Sequence, residues 1–260
     1  MNIHQQILEQ LHKVESDHQV HIPIAIESGS RAWGFASPDS DYDCRFIYVH
    51  KRDWYLSVFG GRDTIEYTPD AIFDVSGWDV RKVVSHLVKS NAVMLEWLCS
   101  DVVYCMDEKI RAQLWSLGEA FFNPIAAGWH YLSMARNKLA EIEEGETAKI
   151  KKYFYVLRPL TCIRYIHTHG KIPHMRYQEN LAAIPLPAVI REEIERLLEE
   201  KKTAVEAYPL PRNSVLLDYF HSETAWAEEW LGTLRHNKNR DYEQANQTFR
   251  RVVEMVNADD

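Results

Sequence analysis

The chain of 260 residues contains only four cysteines, and none of them lies in a C-x-x-C pair. A disulfide framework and a zinc site built from cysteine pairs are therefore excluded, and the scattered thiols indicate a reducing compartment. No stretch approaches the roughly 20 consecutive apolar residues that a membrane span needs. The first residues, MNIHQQ, also lack the basic and apolar regions of a signal peptide. We expect a cytoplasmic protein that does not bind membranes.

Positive charge is also in short supply, with 30 Lys and Arg against 38 Asp and Glu and a formal net charge of -8. A chain of this charge repels polyanions unless its basic residues are gathered in one place, which excludes nonspecific coating of nucleic acid. The motifs G-x-S-x-G, H-E-x-x-H, Walker A and G-x-G-x-x-G do not occur. The common hydrolase, zinc protease, P-loop and Rossmann classes therefore have no support.

The hydrophobic pattern changes once along the chain. Residues 2–16 repeat apolar positions at helical spacing, 21–26 and 43–49 are typical of strands, 28–30 of a small-residue turn, and the stretch through 67 and 72–73 of one or two further strands. Helical spacing then dominates over 80–88, 92–98, 108–117, 125–139, 149–168, 188–200, 214–231 and 241–256. This pattern predicts an α+β fold: a mixed sheet with helices at 1–120 and a helical bundle at 121–260.

The most informative segment is GSRAWGFASPDSDYD at residues 29–43. Asp41 and Asp43 stand two apart at the mouth of a predicted strand, so both carboxylates are expected on the same face. Two close negative charges need a cation, and Mg²⁺ is commonly held by one or two carboxylates together with substrate phosphates. An EF-hand calcium loop is excluded, because Cys44 stands where that loop requires glycine and His50 where it requires glutamate.

Gly29 and Ser30 follow a predicted strand and can open a turn whose backbone N–H groups and hydroxyl face an anion. A phosphate site beside a metal site indicates phosphoryl or nucleotidyl transfer. Arg31 has two interpretations: it contacts phosphate, or it pairs with a nearby aspartate and holds the loop. Trp33 and Phe35 are expected to be packing residues.

A Gly-Ser pair followed about ten residues later by Asp-x-Asp resembles the signature of the DNA polymerase β-like nucleotidyltransferase superfamily. With Arg31, Trp33 and Gly34, the segment is similar to a bacterial branch of predicted nucleotidyltransferases that includes proteins encoded beside RNA-repair systems. The resemblance continues through 74–78, 91–98 and 158–173. It implies a polymerase β-like catalytic core followed by the helical bundle.

The resemblance also implies a two-metal site with a third carboxylate on a neighbouring strand. Asp74 matches that position, and Glu66 is the alternative because the sequence does not fix the strand register. The implied cofactors are two Mg²⁺ ions, with Mn²⁺ as an alternative, shared by Asp41 and Asp43. Asp74 would bind the catalytic ion and accept the proton of the acceptor hydroxyl. Gly29 and Ser30 would hold the β and γ phosphates of a nucleoside triphosphate such as ATP.

Basic residues cluster further along, in a run without Asp or Glu that contains seven Lys or Arg: Lys149, Lys151, Lys152, Arg158, Arg164, Lys171 and Arg176. Lys151, Tyr155 and Arg158 share one face of a predicted helix. Arginine suits bidentate phosphate contacts, and Tyr155 could stack on a base or ribose. These three residues are predicted to bind nucleotide or a nucleic-acid end, and the alternative is an ordinary solvated helix face.

The expected reaction is transfer of a nucleoside monophosphate from a triphosphate to an acceptor hydroxyl, with release of pyrophosphate. The acceptor is left open between an RNA or DNA end, a protein and a small molecule. Two alternatives remain: an enzyme of the same fold that transfers AMP to a protein, and a regulatory module that binds nucleotide without turnover. The sequence does not determine the oligomeric state.

Overall fold

The computed structural model describes residues 2–67, 72–203, 205, 208–235 and 242–258. Contacts divide the chain into two compact units: the first is Met1–Ala32, Asp41–Phe122 and Asn239–Asp260, and the second is Trp33–Ser40 and Asn123–Lys238. This division differs from the predicted domains mainly in two exchanged segments, residues 33–40 and the C-terminal helix. As functional domains, 1–120 and 121–260 stay a prediction.

The first unit contains the sheet and the helices that pack on it. Its elements are α1 (Ile3–His18), β1 (Val20–Glu27), α2 (Gly29–Trp33, whose last residue belongs to the second unit), β2 (Tyr42–His50), α3 (Arg52–Tyr55), β3 (Thr64–Tyr67), β4 (Phe73–Asp79), α4 (Val80–Val88), α5 (Ala92–Cys99), β5 (Val103–Met106), α6 (Glu108–Phe121) and α12 (Tyr242–Val256). Helix α2 replaces the predicted turn at 28–30. Strand β5 was not predicted.

Within the described residues, five strands form one mixed sheet in the order β3-β4-β2-β1-β5. Strand β1 runs antiparallel to β2 and β5, β2 runs parallel to β4, and β3 runs antiparallel to β4. The β1–β2 register shifts between His21 and Ile24, around Pro23, which has no N–H to donate. The predicted α+β class with a mixed sheet is confirmed.

One face of the sheet is covered by α1. This helix begins with a capping box between Asn2 and Gln5 and buries Ile7, Leu11 and Val14. They join a core with residues that alternate along the strands, among them Cys44, Phe46, Tyr48, Phe73 and Val75. Because strand side chains alternate, the intervening residues of β2 and β4 project to the opposite face.

Gly77 is required by the packing of this core. It pairs with Phe46 in the β2–β4 register, and a Cβ at Gly77 would lie 2.2 Å from the Phe46 ring. We expect Gly77→Ala to lower the free energy of unfolding by about 3 kcal/mol, the upper end of overpacking costs. Urea denaturation measures this change in the free energy of unfolding. In the double variant Gly77→Ala, Phe46→Leu, the smaller side chain should restore part of the lost stability. Additive losses from the two substitutions would show that the clash is not the cause.

His50, the last residue of β2, lies in a partly buried aromatic cluster in the first unit. Its ring stacks on Trp54 at 3.8 Å between centroids, and its backbone N–H donates to the Tyr55 hydroxyl at 3.1 Å. Burial lowers the pKa of His50 from its usual 6.5 to about 4, with smaller effects from His18 and Arg81. The folded chain therefore binds this proton less readily than the unfolded chain does.

The free energy of unfolding should consequently fall through His50 as the pH drops from about 6.5 to about 4. The His50→Gln variant cannot titrate at this position and should lack this contribution. The difference in free energy of unfolding between wild type and variant should therefore narrow as the pH falls over that range. Urea unfolding at intervals of half a pH unit measures it. A difference that stays constant across the range would contradict the assignment.

The second unit is built mostly from helices. Its elements are α7 (Pro124–Glu143), β6 (Thr147–Lys149), α8 (Ile150–His169), α9 (Tyr177–Ala182), α10 (Ala188–Thr203), β7 (Pro209–Pro211) and α11 (Ser214–Thr233). Helices α7 and α8 pack along each other, α11 packs on both, and β6 pairs with β7. Across the described parts of both units, no helix combines the length and apolar character needed to cross a membrane.

Candidate active site

Two of the predicted carboxylates lie side by side on the sheet. Strands β2 and β4 are parallel neighbours, and Asp43 stands opposite Asp74 in their register. Both project to the face opposite the α1 core, because Cys44 and Val75 point into that core. Glu66 is exposed and pairs with Ser76 from the far side of β4. The register therefore brings Asp74 beside Asp43.

Arg45 links the two carboxylates. It follows Asp43 by two residues on the same strand face, and its Nη2 donates to Asp43 Oδ1 at 3.2 Å and to Asp74 Oδ2 at 2.6 Å. Its Nη1 donates to the carbonyl oxygens of Cys44 and Asp74. The Arg45 side chain is 17% exposed, against 28% for Asp43 and 50% for Asp74. Asp74 is thus the more accessible carboxylate.

The two carboxylates are oxygen donors of the kind that a divalent cation takes. Two carboxylates converge on one position, and that position holds a cation, the Arg45 guanidinium. Magnesium is commonly held by one or two carboxylates, with substrate phosphates completing its coordination. In the described part of the chain, no group of three His, Cys, Asp or Glu side chains is arranged to hold a metal ion.

Asp41 is not brought into this carboxylate pair. Strand β2 begins at Tyr42, so strict strand alternation does not extend to Asp41, which is exposed. Its carbonyl oxygen accepts a hydrogen bond from Arg31 Nε at 3.0 Å, and the Arg31 guanidinium lies 3.9 Å from the Tyr42 ring centroid. Arg31 therefore contacts the loop through the backbone of Asp41, and its pairing with an aspartate side chain stays a prediction. A metal role for Asp41 and a phosphate role for Arg31 stay predictions.

Gly29 lies directly against Asp43. Its φ is +62°, and a Cβ there would be 1.9 Å from Asp43 Oδ2. The N–H of Ser28 donates to the Asp43 carbonyl at 2.8 Å, and Ser30 is buried. The Gly-Ser pair and the carboxylate pair therefore form one site in the first unit. Phosphate binding by Gly29 and Ser30 stays a prediction.

Glu27 is a site residue that the sequence analysis missed. It is 1% exposed, its Oε1 accepts a hydrogen bond from the Asp43 N–H at 2.9 Å, and its Oε2 accepts one from the Tyr104 hydroxyl. Burial raises the pKa of Glu27 to about 6. The sequence signal is a single acidic residue that ends an apolar strand just before the Gly-Ser pair. Glu27 fixes the backbone at the start of β2.

Lys151, Tyr155 and Arg158 all belong to α8 in the second unit. Arg158 is 3% exposed, and its guanidinium lies 4.0 Å from the Trp33 ring centroid. Tyr155 meets the same ring edge-on at 5.6 Å and 89°. These two residues share a helix face as predicted, and Arg158 is buried, which contradicts the alternative of a solvated face there. Their binding of nucleotide, and that of Lys151, stays a prediction.

Trp33 and Phe35 are packing residues, as expected. Phe35 stacks on Phe154 with centroids 4.8 Å apart and meets Tyr177 edge-on at 5.7 Å. Both residues are less than 10% exposed, at 8% and 6%. The hydrophobic part of the signature segment therefore belongs to the core of the second unit.

The paired aspartates on the mixed sheet, beside the Gly-Ser pair, agree with the polymerase β-like nucleotidyltransferase class that residues 29–43 resemble. The chain belongs to the RNA repair pathway DNA polymerase beta family (RlaP), whose sequence profile matches residues 3–251. The resemblance stated from residues 29–43 is confirmed by this match.

Two individual proteins are similar to the chain. The uncharacterized protein YcgL of Bacillus subtilis (strain 168) is 39% identical over 252 residues, which are 97% of each chain. A nucleotidyltransferase-like protein from Exiguobacterium sibiricum 255-15, known from a crystal structure, is 11% identical. That match covers 93% of this chain and 77% of the other with a TM-score of 0.28, a value that does not establish a common fold.

Proposed function

We propose that the chain is a metal-dependent nucleotidyltransferase that transfers a nucleoside monophosphate from a triphosphate to an acceptor hydroxyl. The observation that carries this proposal is the in-register pair of Asp43 and Asp74, with the Arg45 guanidinium between the carboxylates. Gly29 lies directly against Asp43. Membership of a polymerase β family supports transferase chemistry. An intact carboxylate pair also argues against a module that only senses nucleotide.

Asp43 and Asp74 would hold the metal, with Asp41 as a further ligand. A bound Mg²⁺ neutralises phosphate charge and lowers the pKa of a hydroxyl that it contacts. Mg²⁺ is proposed as the physiological ion and Mn²⁺ as its substitute. The Arg45 guanidinium between the two carboxylates supports the proposal that this pair attracts positive charge.

The remaining roles are part of the same proposal. The acceptor oxygen forms a bond to the α-phosphorus, the bond from this phosphorus to the pyrophosphate oxygen breaks, and the acceptor proton leaves. Asp74 is the carboxylate assigned to accept that proton, because half of its side-chain surface is open. Gly29 and Ser30 bind the β and γ phosphates, and Glu27 keeps Asp43 in place through its backbone N–H.

An RNA or DNA 3′ hydroxyl is the acceptor that the family description favours. Lys151, Tyr155 and Arg158 of the second unit are proposed to form the part of the protein that binds nucleotide or this nucleic-acid end, Lys151 and Tyr155 by contact and Arg158 by support. Because Arg158 is buried against Trp33, its contribution is to order the Trp33 side chain, and the direct contact is assigned to Lys151 and Tyr155.

The test is incubation of the purified protein with each α-³²P-labelled nucleoside triphosphate and Mg²⁺, with and without RNA and DNA oligonucleotides. The matched control is the double variant Asp41→Asn, Asp43→Asn. Label transferred to an oligonucleotide, together with release of pyrophosphate and a silent double variant, supports the proposal and identifies the acceptor. Label on the protein itself identifies a protein acceptor. Bound nucleotide without labelled product or pyrophosphate, in every arm, would favour the regulatory module.

A further inference from the structure

The Arg45 guanidinium stands at the point where the two carboxylates of the site converge. Asp43 and Arg45 share one face of β2, and the β2–β4 register places Asp74 beside Asp43 on that face. A single nitrogen of Arg45, Nη2, donates to Asp43 Oδ1 at 3.2 Å and to Asp74 Oδ2 at 2.6 Å. A divalent cation held by the same two oxygens therefore competes directly with Nη2.

The other nitrogen of the guanidinium is fixed to the backbone. Nη1 donates to the carbonyl oxygen of Cys44 at 3.1 Å and to that of Asp74 at 2.8 Å, and neither bond involves a carboxylate. The Arg45 side chain is 17% exposed, so its charge is not simply returned to water when the carboxylates are taken away. If a metal ion displaces Nη2, Arg45 stays beside the site and needs a new anion.

Electrostatics oppose a metal ion that arrives alone. Two carboxylates outweigh one guanidinium, so this group of charges is negative, and a divalent cation would leave it positive with two cations side by side. A nucleoside triphosphate carries enough negative charge to reverse this balance. Its phosphate oxygens also match the planar fork of an arginine. Metal and triphosphate together thus provide partners for both the carboxylates and Arg45.

We infer that Arg45 excludes a free divalent cation from the Asp43–Asp74 pair and binds the phosphates of a nucleoside triphosphate when the cation enters with it. The identity of this anion rests on the proposed function. Arg45 then has two successive sets of partners, the carboxylates in the free protein and the phosphates in the complex. The bonds from Nη1 to the backbone keep the side chain at the site in both.

The first measurement is the binding of Mn²⁺ without nucleotide, followed through the electron paramagnetic resonance signal of the free ion. Arg45→Met removes the charge, and the matched control Arg111→Met removes another arginine that pairs with a carboxylate, Glu108. We expect Arg45→Met to bind Mn²⁺ about tenfold more tightly than wild type, an ordinary size for coupling between two sites. Arg111→Met should match wild type. Equal affinity in wild type and Arg45→Met would overturn the exclusion.

Two further variants locate the gain and guard against misfolding. Adding Asp43→Asn to Arg45→Met should remove the gain in Mn²⁺ affinity, and a gain that persists would overturn the inference. Arg45→Lys keeps a positive charge but loses the fork that bonds carboxylates and carbonyl oxygens together. Its Mn²⁺ affinity should lie between those of wild type and Arg45→Met. If Arg45→Met does not fold, an affinity of Arg45→Lys no tighter than that of wild type would overturn the exclusion.

The second measurement is calorimetric titration with α,β-methylene-ATP, which cannot be cleaved between its α and β phosphates. Arg45→Met should bind the Mn²⁺ complex of this nucleotide about tenfold more weakly than wild type, because a charge-assisted contact is lost. The same variant should bind free Mn²⁺ more tightly. A purely structural arginine would not shift the two affinities in opposite directions. Equally tight binding of the complex by both proteins would overturn the phosphate role.

These readouts separate the inference from the proposed function. If the wild type binds no triphosphate with or without Mn²⁺, the proposed function and the phosphate role both fail, and the Mn²⁺ titration alone decides whether Arg45 excludes the free ion. If the wild type binds the triphosphate complex but Arg45→Met binds it equally well, the proposed function stands and the phosphate role of Arg45 is wrong.

Discussion

Asp43→Asn should reduce nucleotide transfer by about a thousandfold while the protein stays folded. The substitution keeps the shape of the side chain and removes the charge that faces Arg45, Gly29 and the proposed metal. Loss of charge stabilisation worth roughly 4 kcal/mol in the transition state corresponds to a rate factor of about a thousand. Single-turnover transfer of α-labelled triphosphate measures this loss, and thermal unfolding verifies the fold.

The fold should survive because Arg45 keeps its other partners. In Asp43→Asn the guanidinium still donates to Asp74 Oδ2 and to two backbone carbonyl oxygens. Positive charge at the site therefore remains paired. A large fall in melting temperature would instead assign Asp43 a mainly structural role.

Glu66→Gln is the matched control for this prediction. Glu66 belongs to the same sheet, but it is exposed and pairs with Ser76 rather than with the carboxylate pair. Asp74→Asn should impair transfer about as strongly as Asp43→Asn, whereas Glu66→Gln should change it less than twofold. The reverse order would contradict the assignment of Asp74 and require a different strand register.

Periodicity determined which elements form, and the sheet register determined which side chains meet. The apolar pattern was sufficient for α1, β1, β2 and the long helices, because their buried faces repeat over many residues. The pattern was not sufficient to choose between Asp74 and Glu66 as the third carboxylate. That choice depends on the pairing of β2 with β4, a long-range contact that leaves no local signal.

The short elements show the same limit. Strand β5 has four residues, all half-buried, and strands β6 and β7 are only three residues long. None of them spans enough residues for a hydrophobic period to appear. Asp41 and Asp43 illustrate the related problem of element ends. Alternation predicts a common face only inside a strand, and β2 begins between them, at Tyr42.

The role of Arg45 could not be predicted from the sequence because it depends on a distant partner. Arg45 contacts Asp74, 29 residues away along the chain. In the sequence it is a single basic residue among many. Glu27 was more accessible to prediction, since a charge that interrupts an apolar strand next to a motif has few structural reasons to be there.

Gly29→Ala should abolish nucleotide transfer almost as completely as Asp43→Asn. Its cost in free energy of unfolding should be much smaller than the overlap of the new Cβ with Asp43 implies. A Cβ at residue 29 would lie 1.9 Å from Asp43 Oδ2 and 3.3 Å from Asp43 Cβ. The end of an aspartate side chain can rotate away, so the protein can relieve the overlap by turning Asp43 out of the site. We expect a loss of roughly a thousandfold in transfer, the size expected for removal of the Asp43 charge.

Gly170→Ala is the control for the backbone cost of placing alanine at a glycine with positive φ. Gly170 has nearly the same φ, +65° against +62°, but a Cβ there would have open space around it. Each alanine should therefore cost about 1 kcal/mol for the left-handed backbone conformation, and the two variants should unfold at similar urea concentrations. Only Gly29→Ala should lose activity. Combining it with Asp43→Asn should reduce transfer no further, because both changes remove the same carboxylate from the site. An active Gly29→Ala protein would show that the contact between residue 29 and Asp43 does not set the geometry of the reaction.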